Sequence, residues 1–324
     1  MQNWAIGVDL GGTKIEVAIV SSLGQLVDRL RIPTNSAQSQ ENLIESIAVT
    51  IEKISKQHPD INPETIGVGV AGQIEKETGL IVYAPNLGWH NVNLQDQLSG
   101  RLNKPVAVCN DVKAAGWGEW LYGGGTGCDN LVCIFVGTGI GGAIIANGKM
   151  LNGCNNTAGE IGHITIQLHG PLCHCGNKGC FEALASGWAI ERDAQKAVEN
   201  DMKAGSMILD IAGGNLRSIN GGTVKMAAKK GDPLAKKLID NIAEAMIAGV
   251  TSVVNALGPC RIILGGGVIE GMPELVKLTE EGMKKNALKA AIASVKVLPA
   301  RLQNDSGVIG AAAFALHRLK KIEL

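Results

Sequence analysis

Four soft ligands lie within eighteen positions of this chain: His163, Cys173, Cys175 and Cys180, in the pattern H-x9-C-x-C-x4-C. Three thiolates and one imidazole complete the tetrahedron of a structural zinc ion. Gly176 and Gly179 interrupt the run CHCGNKGC where tight turns are needed. His169 and His174 compete for the same role but fit the pattern less well. The other cysteines (109, 128, 133, 154 and 260) lie in apolar or loop settings and read as small core residues. A single cysteine is usually a buried thiol; so dense a run, with no disulfide framework, points to metal.

Two glycine-rich turns carry phosphate-binding equipment. In the first, a strand ends at Asp9 and the chain turns through Gly11, Gly12 and Thr13 to Lys14. Glycine amides approach phosphate oxygens with no Cβ in the way, and successive N–H groups form an anion nest. Asp9 suits a Mg2+ ion that keeps most of its water shell. The second turn, Gly137-Thr138-Gly139-Ile140-Gly141-Gly142, offers the same parts. Neither is a Walker loop, and the second departs from the dinucleotide spacing G-x-G-x-x-G. One such turn is an ordinary hairpin; two at corresponding places in two halves form a nucleotide clamp. A third cluster, Gly265, Gly266 and Gly267, follows a strand. It reads as a seat for adenosine or as a plain strand-to-helix corner.

Asn110 and Asp111 follow the apolar run PVAVC. An Asp that opens a helix is a common N-cap. Beside two phosphate turns it is also a candidate general base, taking the proton of a hydroxyl that attacks phosphorus. Glu160 and Glu182 flank the cysteine cluster. With Asn110, Asp111 and a metal-pinned His163 they can hydrogen-bond a ring of vicinal hydroxyls, although either Glu alone reads as a solvated carboxylate.

The elements that must position these groups follow from periodicity. Trp4–Asp9 and Ile15–Val20 read as strands of one hairpin. Leu43, Ile44, Ile47, Ile51 and Ile54 have helical spacing between Ser39 and Gln57. Strands are expected over 66–71 and 105–110, and a helix over 111–120. Near Cys128 the pattern restarts, with a strand over 131–136, the second turn, and a return strand over 143–146. Helices are expected from Ala183 to about Asn200, from Pro233 to about Asn255 and over 307–319, with a strand over 261–264. Two hairpins, each opening one half, predict a duplicated α/β domain pair.

Composition narrows the class. The 324 residues exceed a single ordinary core, which stops growing near ~250–300 residues. Thirty basic residues balance thirty acidic ones, so no broad footprint for nucleic acid or anionic membrane is offered. The uncharged stretches 130–148 and 245–260 are broken by glycine, proline and polar residues, unlike a membrane span. The start, MQNWAIGVDL, lacks the features of an export signal, and a cytoplasmic protein is expected.

Taken together, these pieces resemble the ROK family of sugar kinases and sugar-responsive repressors, within the hexokinase/actin/Hsp70 superfamily. The matching segments are DLGGTK (9–14), VAGQIE (70–75), PNLGW (85–89), VCND (108–111), GTGIGG (137–142), EIGH (160–163), CHCGNKGCFE (173–182) and LGGGV (264–268). The resemblance implies an α/β, two-domain actin-like/hexokinase (ribonuclease H-like) fold with a ligand cleft between domains. The smaller domain would comprise 1–116 with 305–324, and the larger 117–304 with the zinc loop. Asn110, Asp111, Glu160, His163 and Glu182 would contact a hexose, with Asn86 nearby and Asp111 as base on the 6-hydroxyl. The turns at 11–14 and 137–142 would hold the triphosphate of ATP with Mg2+, and 265–267 would lie near the adenosine. The intact CxCGxxGC spacing tilts toward glucokinase over fructokinase, and toward ATP over polyphosphate. The same chemistry on N-acetylmannosamine, N-acetylglucosamine, mannose or fructose is the alternative. Two departures from the family pattern, Ala71 before Gly72 and Ala143 after the second turn, touch no chemistry. A repressor of this family carries a DNA-binding domain ahead of the first hairpin; with Asp9 already in the motif, an enzyme is expected. A homodimer or tetramer is a family expectation.

Overall fold

The computed structural model describes residues 3–34 and 38–320. The described residues fall into two compact units, drawn from Met1–Asp129, Ala143–Gly159 and Arg301–Leu324, and from Asn130–Gly142 and Glu160–Ala300.

The first unit begins with strands β1 (Trp4–Leu10), β2 (Lys14–Ser21), β3 (Leu26–Pro33) and β4 (Thr65–Val70). A short meander follows, β5 (Gln73–Ile74), β6 (Ile81–Ala84) and β7 (Trp89–Val92), then β8 (Val106–Asn110). The main sheet has the order β3-β2-β1-β4-β8. β1 and β2 are antiparallel, with Asp9 opposite Glu16; β4 and β8 run parallel to β1 and to each other. Parallel neighbours need crossovers, and helices Gln40–Gln57 and Leu94–Leu102 supply them.

β2 is buried at every residue but Lys14, because both faces of the sheet are covered. Ile15, Val17 and Ile19 meet Leu43, Ile47 and Ile51 of the first helix. Ala18 and Val20 meet Val308, Ala312 and Leu316 of the terminal helix Ser306–Lys320. Each fully buried Ile side chain contributes roughly 1.5–3 kcal/mol. The terminal helix comes so close that a Cβ on Gly7 would lie 1.9 Å from the Val308 carbonyl oxygen, and one on Gly67 1.8 Å from that of Ala311. Only glycine permits this approach.

The second sheet is built from β9 (Leu131–Val136), β10 (Ile140–Ala146), β11 (Lys149–Met150), β12 (Arg261–Gly265) and β13 (Lys296–Pro299). Its order, β11-β10-β9-β12-β13, repeats the first, with β12 parallel to both β9 and β13. The expected duplication is therefore present as two sheets of one plan.

Several local expectations need correction. The return strand starts at Ile140 and not at Ala143, so Gly141 and Gly142 are part of it. The helix expected from Ala183 is broken: Glu182–Ala185 ends at Ser186, whose side chain accepts from the Ala189 amide and caps Gly187–Asn200. The long helix Pro233–Leu257 ends on Gly258 at φ 56°. Among the described residues no helix is long and apolar enough to cross a membrane.

Candidate active site

In the first unit the charged groups gather at the end of the β1–β2 hairpin. The turn is closed by the Gly11 amide donating to the Lys14 carbonyl (3.1 Å) and braced from outside by the Thr34 hydroxyl, which donates to the Gly11 carbonyl (2.7 Å). Gly12 faces Asn86, and a Cβ there would come within 2.9 Å of the Asn86 Cβ. Asn86 is exposed in the short 3-10 turn Pro85–Leu87, which Gly88 closes.

Beside the turn, Asp9 is pushed up from 3.8 to about 6, first by burial and then by the nearby Asp111 carboxylate; Lys14 opposes the rise. Glu16, only 1% exposed, receives Arg31 at 2.7 Å and Arg29 at 3.0 Å, with Lys14 at 3.5 Å.

Asn110 ends β8 and caps the next helix, Asp111–Tyr122; its side-chain oxygen accepts from the Lys113 amide at 3.1 Å and its Nδ2 donates to the Gly72 carbonyl at 3.1 Å. The cap is thus Asn110. Asp111 is the first helical residue, where the helix dipole favours an ionised carboxylate.

Sequence reasoning missed Lys113. It is 6% exposed, and its Nζ donates to the Asn156 side chain (2.7 Å) and carbonyl (2.8 Å). Asn156 in turn donates to the Ile74 carbonyl at 2.8 Å. These bonds fasten the loop that leads to Glu160.

In the second unit the β9–β10 turn is neutral. Gly137 donates to the Gly139 carbonyl (2.9 Å), and the Ile140 amide donates to Glu182 Oε2 (2.9 Å). Gly187, opening its helix, donates to the Gly137 carbonyl at 2.8 Å. Against this turn lies a cavity of about 340 Å³, within the ~300–1,000 Å³ of small-molecule sites. Thr138, Trp188, Glu191, Lys225, Gly267 and Met272 are in its wall. Of the third glycine cluster, Gly267 reaches the cavity; Gly266 caps the helix Gly267–Gly271 at φ 89°, and Gly265 faces Phe135 and Ala300.

His163, Cys173, Cys175 and Cys180 present ligand atoms that all lie within 4.8 Å of one another. Cys175 Sγ and Cys180 Sγ are 3.7 Å apart, and Cys173 Sγ and His163 Nδ1 3.8 Å. A tetrahedron with metal–sulfur bonds of ~2.3 Å has edges of about 3.8 Å. The cluster therefore has the size of a four-ligand metal site. Gly179, at φ 71°, lies so close to the Gln167 carbonyl that a side chain is excluded. Neither His169 nor His174 belongs to the cluster; the His174 ring stacks on Trp188 at 4.2 Å.

Glu182 stands between the cluster and the turn. Besides Ile140, it accepts from Trp188 Nε1 at 3.4 Å, and Cys173 Sγ lies 3.9 Å from Oε1. Glu160 is exposed, and its carbonyl accepts the His163 amide.

A β-sheet plan repeated twice, each copy ending in a glycine turn, one flanked by carboxylates and the other by a cavity, is the plan of an actin-like, hexokinase-type fold. The chain belongs to the ROK family, which it matches over residues 5–318. It is 37% identical to a glucokinase of Halalkalibacterium halodurans over 95% of this chain and 93% of that one. A ROK family glucokinase from Streptomyces griseus, solved in complex with glucose and AMPPNP, superposes with a TM-score of 0.81 at 31% identity, covering 97% of this chain and 99% of that one. A ROK hexokinase from Thermus thermophilus gives a TM-score of 0.84 at 30% identity, covering 99% and 100%.

Proposed function

We propose that this protein is an ATP-dependent hexokinase that transfers the γ-phosphoryl group of ATP to the 6-hydroxyl of glucose. The observation that carries the reading is Asp111: a half-buried carboxylate at the first position of a helix already capped by Asn110, close enough to a second half-buried carboxylate, Asp9, at the end of a glycine turn to raise its pKa. Asp111, at the N-terminus of its helix, accepts the proton of the attacking hydroxyl.

Asp9, crowded by burial and by Asp111, is the kind of carboxylate that a divalent cation relieves. It would hold Mg2+, which would supply charge neutralisation to the triphosphate. The amides of Gly12 and Thr13 and of Thr138 and Gly139 hold phosphates, helped by Lys14, while those of Gly11 and Gly137 donate within their own turns and set the loop shape. The adenosine takes the 340 Å³ cavity, with Gly267 in its wall.

Asn86, Asn110, Asp111, Glu160, His163 and Glu182 are assigned to the sugar. The Cys/His cluster fits zinc in ligand type, number and spacing. With His163 Nδ1 toward the sulfurs, Nε2 is left for a sugar hydroxyl. Zinc there would be structural, since four protein ligands fill the tetrahedron. None of the eight cysteines forms a disulfide, which suits a reducing, cytoplasmic setting.

A coupled assay of ADP release with MgATP and glucose, mannose, fructose, N-acetylglucosamine or N-acetylmannosamine tests the reading. Glucose is expected to give the highest kcat/KM. A higher value for an N-acetyl sugar would move the substrate assignment, and ADP release independent of any sugar would overturn the kinase reading.

A further inference from the structure

Glu119 has no exposed surface, yet it lies outside both glycine turns and the metal cluster. It sits in the third turn of helix Asp111–Tyr122. A carboxylate there is strongly destabilising unless its oxygens are satisfied. Its oxygens accept from three backbone amides: Oε2 from Gly124 at 2.9 Å and Arg301 at 3.0 Å, and Oε1 from Leu302 at 2.7 Å. Such charge-assisted bonds are about twice as strong as neutral ones. Gly124 lies just past the helix end, on the way out of the first unit; Arg301 and Leu302 are where the chain returns to it. One buried carboxylate thus joins chain segments 182 positions apart.

The returning segment leads straight to the reacting groups. Asp305 is held by Arg29 through two bonds of 2.6 and 3.0 Å, and Arg29 also holds Glu16. Gly307, in the first turn of the terminal helix, abuts Asp9: a Cβ there would lie 3.0 Å from Asp9 Oδ2. The terminal helix and the Asp111 helix approach backbone to backbone. A Cβ on Gly310 would lie 1.7 Å from the Ala114 carbonyl oxygen, and one on Gly118 2.8 Å from that of Ser306. Asp111 begins one of these helices, and Asp9 abuts the beginning of the other.

We infer that Glu119 is a positioning residue for phosphoryl transfer: by fastening the return segment to the Asp111 helix, it fixes the spacing between Asp111 and Asp9. The inference rests on the assignment of those two carboxylates made above.

Glu119→Gln keeps the shape but replaces one acceptor oxygen by an NH2 group that cannot receive an amide N–H. Displacement of the reacting carboxylates is expected to lower kcat by about 10–100-fold. KM for glucose and for ATP should each stay within about threefold of wild type, since ground-state contacts are untouched. Glu119→Asp, which keeps both oxygens on a shorter stem, should recover part of kcat. Peptides spanning 120–126 and 298–304 should exchange amide hydrogens faster in Glu119→Gln. A cooperatively melting Glu119→Gln protein with kcat within about twofold of wild type overturns the inference, as does unchanged exchange in those peptides. If that variant does not fold, Glu119→Asp carries the test, and wild-type kcat in it overturns the inference. Asp111→Asn is assayed in parallel. An active Asp111→Asn overturns the underlying assignment, whereas an inactive one beside an unaffected Glu119→Gln overturns only the role of Glu119.

Discussion

In the first sheet the β1–β2 turn is flanked by Asp9, Lys14 and Glu16, and Arg29 and Arg31 converge on Glu16. In the second, the stretch from Asn130 to Gly148 contains no charged residue, and Glu182 braces the turn from a separate segment. When the turns are aligned on their glycines, the place of Asp9 is taken by Phe135, an apolar residue packed against Gly265. The strand order is the same in both sheets. One backbone plan therefore serves two tasks. On the function proposed above, charge is concentrated where a bond is to be made and broken, and neutral amides beside a cavity serve where a ligand has only to be held.

The largest effect expected from this contrast is at the base. Asp111→Asn keeps size and hydrogen bonding but cannot take a proton, so kcat should fall by ~10²–10⁴ while glucose still binds. Steady-state kinetics with a separate glucose titration checks it, and retention of more than about a tenth of kcat would contradict the assignment.

Asp9→Asn should lower activity by about 10–100-fold and raise the Mg2+ concentration needed, as loss of an outer partner of a metal does. Its effect on stability has the opposite sign. Asp9 titrates near 3.8 when unfolded and at about 6 when folded. Between those values the folded state keeps a proton that the unfolded chain has lost, so the favourable contribution is complete below pH 4 and is lost as pH rises through 6. Removing the charge should raise the stability measured without Mg2+ at pH 8, by a few kcal/mol at most, with the gain shrinking toward pH 4. Denaturant titrations at the two pH values check this.

A smaller effect is expected from the metal cluster. Cys175→Ala should lose the zinc, about one ion per chain in the wild type, and weaken glucose binding by roughly tenfold while changing ATP affinity less. Metal analysis beside two binding titrations checks it. Normal glucose affinity in the metal-free variant would separate the cluster from the sugar site.

What was legible in the sequence had strong local signals. The hairpins announced themselves by β-prone runs meeting clustered glycines, and the four metal ligands by density within one short loop. The signals that failed were of two kinds. Some elements are too short for periodicity, such as the two- to four-residue strands β5, β6 and β7, or are broken by a single cap, as at Ser186. The others depend on distant partners. Lys113 looks like a solvated charge, because Asn156 lies 43 positions away; Glu119 looks the same, because two of its three amide partners belong to a segment more than 180 positions on. Asp111 was ambiguous between cap and base until Asn110 was found to make the capping bond.

The division of labour between the turns is tested most directly by calorimetric affinities for adenosine and for MgATP in two variants. Gly271 lies in the wall of the second unit's cavity, and a Cβ there would meet nothing within 4 Å. Gly271→Leu can therefore project into the cavity without disturbing the protein around it. Lys14→Ala removes a cation, half exposed, from the first turn. Gly271→Leu should weaken adenosine and MgATP by similar factors, about tenfold or more. Lys14→Ala should weaken MgATP and leave adenosine unchanged. Unaltered adenosine binding in Gly271→Leu, or equal losses of adenosine and MgATP in Lys14→Ala, would contradict the account.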